Sequence, residues 1–283
     1  MKRISRKTFI QQNILALTSL ALPVAMREDP VKGIVMSVNG AIPSAKLGIT
    51  LPHEHIMVDF IGADKINPSR YNSDEVFRAA LPKLASLKES GCRTLIECTP
   101  SYLGRDVTLL KKLADASGLY IITNTGYYGA AGEKFVPSTV HNETAEQIAR
   151  HWITEWENGI DGTGIKPGFI KTGVDSHPLS EIQKKIIEAA AITHLATGLP
   201  IGIHTGNGSA AMEELRILKG KGVRTEAWIW IHAQSEKNND FHIKAAKEGG
   251  WVEFDSVGND TADEHIGFLT EMKRNKLLDH VLV

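Results

Sequence analysis

The chain has 283 residues, 42% of them hydrophobic and 23% charged, which is room for one large domain or two small ones and rules out a disordered or fibrous protein. With 32 Lys+Arg against 33 Asp+Glu, the formal net charge of −1 lacks the basic footprint of a nucleic-acid binder. Eleven histidines are the one unusual count.

At the N-terminus, Lys2, Arg3, Arg6 and Lys7 precede an apolar stretch from Ile14 to Ala25 that is interrupted by Thr18 and Ser19. A basic segment, a short apolar run and small residues at Ala21 and Ala25 predict an export signal over residues 1–25. The run is shorter than the roughly 20 residues that span a bilayer. Ser5 to Gln11 resembles the twin-arginine export motif, with Lys7 where its second arginine would stand. The reading is of a protein exported to a bacterial periplasm, with no membrane span once the signal is removed.

Segments 33–39 and 41–46 flank Asn39-Gly40 and predict a β-hairpin, since Asn-Gly favours tight reversals. From Leu47 onward, short apolar runs alternate with helical patterns. Strands are predicted at 47–51, 94–98, 120–123, 168–171, 200–204, 228–232, 251–254 and 280–283, each short and bounded by turn residues. Helices are predicted at 74–89, 105–117, 144–158, 180–197, 209–221, 240–248 and 262–276. Ser180 with Gln183 and Thr261 with Glu264 have capping-box spacing, and Pro82 should kink or shorten the first helix. Cys92 and Cys98 flank the second strand about 20 Å apart at about 3.3 Å per residue, too far to bridge, so two free thiols are expected.

A strand-then-helix unit repeated about every 33 residues implies a parallel sheet covered by helices. Eight such strands predict an α/β fold, a (β/α)8 TIM barrel over residues 33–283 with the hairpin capping its floor. An open doubly wound sheet is disfavoured, because no Gly-x-Gly-x-x-Gly follows the first strand.

Barrel enzymes keep their active sites at the C-terminal ends of the strands. His53 and His55 end the first strand in Leu-Pro-His-Glu-His, and i, i+2 positions of a strand share a face. Lys171 ends the fourth strand, His204 the fifth and His232 the sixth. A lone strand-end histidine is usually structural, but four histidines and a lysine at the same end of successive strands predict a metal centre. His141, His151, His177, His194, His242, His265 and His280 fall elsewhere and are read as structural.

These residues, with Glu-Cys-Thr-Pro-Ser-Tyr-Leu-Gly-Arg-Asp (97–106), Asn-Thr-Gly-Tyr-Tyr (124–128), Phe-Ile-Lys-Thr-Gly (169–173) and Ile-His-Thr-Gly (203–206), resemble the phosphotriesterase family of the amidohydrolase superfamily. The resemblance runs from about Gly33 to Val283. It implies two divalent metal ions, commonly Zn2+, one held by His53 and His55 and the other by His204 and His232, with Lys171 bridging them as a CO2-derived carbamate. A hydroxide shared by the metals would then attack a lactone, carboxylic ester or phosphotriester, with a lactone or carboxylic ester favoured over an organophosphate. By the same resemblance Tyr128 lines the leaving-group side of the pocket, and the protein could form a homodimer. Arg105 and Asp106 are expected either to contact substrate or to pair with each other, and Asp255 to orient a water or substrate.

The family's last metal ligand is an aspartate just after the eighth strand. Here the sequence runs only to Asp279-His280-Val281-Leu282-Val283, so a barrel truncated within its eighth strand is expected. Two alternatives stay open at this point. One is a catalytically inactive, metal-containing barrel that acts as a binding protein. The other is a lyase that forms a Schiff base through Lys171, which needs a depressed lysine pKa and no metal.

Overall fold

The computed structural model describes residues 33–283, so the expected export signal lies outside the described residues. The chain opens with an antiparallel hairpin of β1 (Ile34–Ser37) and β2 (Gly40–Pro43), in which Ser37 pairs with Gly40 across a two-residue turn. Gly40 takes φ +102°, which a residue with a Cβ rarely adopts. Val38 N–H donates to Ile121 O at 2.9 Å, and Val35 packs on an interior cluster of Cys98, Ile122 and Phe169. The hairpin therefore closes the end of the sheet opposite the histidines.

The parallel strands follow: β3 (Thr50–Glu54), β4 (Thr94–Glu97), β5 (Tyr120–Ile122), β6 (Asn124–Thr125), β7 (Phe169–Gly173), β8 (Ile201–His204), β9 (Trp228–Ile231), β10 (Trp251–Glu253) and β11 (Val281–Leu282). β5 and β6 are one run of chain interrupted at Thr123. The interruption divides the ladder into a three-stranded sheet β3-β4-β5 and a six-stranded sheet β6-β7-β8-β9-β10-β11. All pairs in both are parallel, and among the described residues no ladder joins β11 to β3. The sheet nevertheless curls round, since His53 at the end of β3 reaches Glu253 on β10 at 3.0 Å.

Between the strands lie α1 (Ser73–Glu89), α2 (Val107–Ser117), α3 (Ala145–Asn158), α4 (Glu181–Thr197), α5 (Gly208–Gly220), α6 (Asn239–Lys247) and α7 (Ala262–Arg274). The box at Ser180 and Gln183 forms, and Thr144 with Gln147 forms another. The one expected at Thr261 does not form: its hydroxyl donates to Ser256 O at 3.1 Å, and Glu264 pairs with Lys237. Pro82 does not shorten α1 either. The carbonyl it leaves without a helical partner belongs to Arg78, which is exposed, so water can satisfy it. Both cysteines are free and buried. No helix among the described residues is long and apolar enough to cross a membrane.

The largest core lies between the outer face of β7–β10 and helices α3 to α7, with Trp152, Trp228, Trp230 and Phe254 fully buried in it. One carboxyl is buried there too. Glu214 on α5 accepts from Thr205 Oγ1 and, at 3.1 Å, from Trp228 Nε1, and burial pushes its pKa up to about 8. A carboxyl whose folded pKa exceeds its unfolded value contributes stability in its protonated form. That stability is complete below about pH 4.5 and is lost as pH rises through about 8. Glu214→Gln keeps the shape and hydrogen bonds of the neutral acid, so the variant should lose less stability than the parent between pH 6 and pH 8. The difference should approach about 1.4 kcal/mol per pH unit. Urea unfolding of chelator-treated protein at both pH values checks this; parallel losses in parent and variant would exclude a protonated Glu214.

Candidate metal centre

Period-2 alternation along each strand decides which side chains enter the mouth. His53 precedes the last residue of β3 and His55 follows it, so both rings face inward. Their Nε2 atoms are 3.2 Å apart. Two nitrogens on one tetrahedral zinc, each at about 2.0–2.1 Å, would be about 3.3 Å apart. His53 Nδ1 lies 3.0 Å from Glu253 Oε1, and His55 Nδ1 lies 2.8 Å from Thr99 Oγ1. The His53 ring centroid is 4.6 Å from that of His232, which is 4.4 Å from that of His204. The four imidazoles thus form one contiguous arc across β3, β8 and β9. His232 takes φ +63°, a strained backbone for a side chain of this size, and its neighbours' packing must hold it there. Neither nitrogen of His204 has a hydrogen-bond partner among the described residues, which leaves its lone pair available.

Electrostatics favour neutral rings. Burial, then the charge of Lys171, lowers the pKa of His53 far below that of a free imidazole; the same two causes lower His204, and bring His55 to about 4. A neutral imidazole is the form that can ligate a cation. Lys171, on β7, is fully buried, and desolvation lowers its pKa. Its Nζ donates only to Thr172 O at 3.2 Å and lies 5.5 Å from the Tyr128 ring, with no carboxylate within ion-pair distance among the described residues. A salt-bridged structural lysine does not match that environment. A desolvated amine without a counter-ion does.

Asp255, just past β10, lies with Oδ2 2.5 Å from His232 Nδ1 and 3.5 Å from His53 Nδ1. His53, His232 and Asp255 place ligand atoms within 4.8 Å of one another, a group able to hold a metal ion. Burial works to raise the Asp255 pKa, but the hydrogen bond and charge of His232, with hydrogen bonds from Gln234 and Ser256, together outweigh it and lower the pKa. The Tyr128 ring lies edge-on to His204, with ring centroids 5.1 Å apart.

Arg105 is a different case. Its guanidinium is bidentate on Glu155, at 2.6 and 3.0 Å, and also donates to Asn124 O at 2.7 Å, so it does not pair with Asp106. Asp106 instead caps α2 through Leu109 N–H and accepts from Tyr71 Oη. Arg105 borders a cavity of about 670 Å3 between α3 and the loops after β3 and β4, which none of the four mouth histidines lines. Three of its five N–H donors are taken by Glu155 and Asn124 in the wall of that cavity. The remaining histidines stay apart from the cluster. His242 and His265, for example, bond to the backbone carbonyls of Ala233 and Asp255, each at 2.8 Å.

Two buried acids in the mouth were missed by reading the sequence, Glu253 and Glu97. Burial and the neighbouring Asp255 push Glu253 up to about 8, and burial raises Glu97 to about 7. The signal available was spacing: Glu253 stands two residues before Asp255, and Glu97 two before Thr99, so each shares a strand face with a site residue.

Comparison with known proteins settles the family. The sequence profile of the Phosphotriesterase family matches residues 33–283. The chain belongs to that family. A Phosphotriesterase homology protein of Escherichia coli K12 is 29% identical over 240 residues, covering 83% of this chain and 80% of its own. The Aryldialkylphosphatase of Saccharolobus solfataricus is 31% identical over 237 residues, covering 83% and 73%. Among solved structures, the Organophosphorus Hydrolase from Deinococcus radiodurans superposes with a TM-score of 0.79 at 25% identity, over 88% of this chain and 78% of that one. This phosphotriesterase-family chain is an ester-hydrolysing enzyme with an α/β barrel-type fold, and its mouth holds a possible metal site.

Proposed function

We propose that the protein is a binuclear metal-dependent hydrolase of small lactones or carboxylic esters, with phosphotriesters as a secondary substrate class. The observation that carries this reading is the facing pair of Nε2 atoms on His53 and His55, 3.2 Å apart and backed by acceptors at both Nδ1 positions. His53 and His55 would hold one cation and His204 and His232 the other, with a carbamate of Lys171 supplying an oxygen to each. When bound, two such cations polarise a substrate C=O or P=O and make water acidic enough to deprotonate near neutral pH.

The chain's own groups do the remainder. Asp255 is bonded to His232 at the rim and is the charged carboxylate best placed to take a proton from a water entering the mouth. Tyr128 lies against His204, and its half-buried ring offers an apolar wall to a leaving group. Lys171 is fully buried and shielded from bulk water, which favours the neutral amine that reacts with CO2.

Protein purified without chelator should carry about two divalent ions per chain by mass spectrometry of the digested sample. It should hydrolyse members of a lactone and ester panel, lose that activity on chelation and regain it with Zn2+. Absence of bound metal would sink the reading. Two bound ions with no turnover would favour a binding protein instead.

A further inference from the structure

We propose that Glu97, acting through Thr99, is a positioning residue for His55: it fixes the ring proton on Nδ1 and so keeps Nε2 bare for a metal. The proposal rests on the metal-binding reading above. Its observation is a chain of hydrogen bonds that no catalytic step uses.

Glu97, at the end of β4, is 2% exposed, and Thr99 is fully buried. Glu97 receives three donors: Ile56 N–H at 3.2 Å, Thr99 N–H at 3.2 Å and Thr99 Oγ1 at 2.5 Å. The Thr99 hydroxyl has one proton and two acceptors in reach, Glu97 Oε1 at 2.5 Å and Met57 O at 3.1 Å. The shorter contact to an acidic oxygen is the stronger, so the proton lies towards Glu97. A lone pair of Thr99 Oγ1 then faces His55 Nδ1 at 2.8 Å and can only accept. His55 then carries its proton on Nδ1, the nitrogen that faces this lone pair.

The frame of this chain is rigid. Asn124, buried on β6, donates through Nδ2 to Glu97 O at 2.9 Å and to Thr99 O at 3.1 Å, clamping the backbone on both sides of the relay. Glu253 meets His53 directly, so the two histidines are oriented by separate acids. A hydroxyl interposed between acid and imidazole transmits direction without placing the acid itself against the metal ligand.

The test uses the full chain carrying Thr99→Val, which keeps the branched shape without the hydroxyl, and Thr99→Ser, which restores the hydroxyl. Two readouts are needed: Zn2+ affinity by chelator competition, and the His55 ring tautomer by long-range 1H–15N correlation in metal-free protein. The parent and Thr99→Ser should show His55 protonated on Nδ1. Thr99→Val should lose that preference and bind Zn2+ about 10- to 100-fold more weakly. Affinity within twofold of the parent, with the tautomer unchanged in Thr99→Val, would overturn the relay while leaving metal binding intact. If the parent binds no Zn2+, the metal reading fails, and the tautomer measurement still decides the relay. Should Thr99→Val not fold, a Thr99→Ser variant without the Nδ1–H tautomer would overturn it.

Discussion

Lys171→Ala should lower kcat/KM at least about a thousandfold, about 4 kcal/mol of transition-state stabilisation, and leave the chain unable to hold its full metal complement. Lys171 lies at the centre of the mouth, and its charge, after burial, is the largest contributor lowering the pKa of His53, His55 and His204. An ammonium there would repel any cation those rings attract. A carbamate reverses the sign of the charge and supplies two oxygens. Short carboxylic acids in solution should therefore restore part of the activity of the alanine variant, because the lost side chain leaves space beside Tyr128 and the histidines. Metal-free protein should respond in the opposite sense. Lys171→Met removes a desolvated amine whose one hydrogen bond is to Thr172 O at 3.2 Å, so its stability to urea should equal or exceed that of the parent. Undiminished turnover in Lys171→Ala would refute the bridging role.

Gly126→Ala should be the most damaging small substitution in the mouth, at about 3–5 kcal/mol of stability. Gly126 takes φ +128°, and a Cβ there would lie 2.1 Å from the carbonyl oxygen of Lys171 and 2.9 Å from its carbonyl carbon. Neither atom can rotate away, because both belong to the backbone of β7. The third and fourth strand ends approach so closely only because residue 126 has no side chain. Forcing them apart shifts Lys171 itself, so metal content should fall together with stability. Urea or thermal unfolding reads the first effect, with a fall of about 10 °C expected in Tm, and metal analysis the second. A variant with parental Tm would show that the strand ends can separate freely.

Much of this was legible in the residues. The short apolar runs located every parallel strand to within a few positions, because strands buried on both faces read as unbroken Val, Ile and Trp segments. The i, i+2 rule placed His53 and His55 together, and strand-end position placed Lys171, His204 and His232 beside them. Other features depended on tertiary partners that no local pattern encodes. Arg105 reads as a partner of substrate or of Asp106 until Glu155, 50 residues on, is found against it. The Thr261 box fails because Lys237 takes Glu264. The second piece after Thr123 had no marker, since the predicted strand 120–123 ends there and Asn124–Thr125 reads as the loop beyond it. Buried acids such as Glu253 are hard to foresee for a related reason: an isolated carboxyl in an apolar strand reads as an exception until its histidine partner, 200 positions away, is known.

That break at Thr123 has a mechanical consequence. His53 and His55 ride on the three-stranded sheet, whereas Lys171, His204, His232 and Asp255 ride on the six-stranded one. The ladder is interrupted between the two blocks and an isolated pairing of Ser101 with Tyr127 crosses near the mouth, so side chains add to what sets their relative position: Asn124 reaching to Glu97 and Thr99, and His53 reaching to Glu253. A cation held by ligands from both blocks is therefore a clasp as well as a reagent. Its binding free energy adds to the cohesion of the two halves, and its loss slackens the joint that brings the two histidine pairs face to face.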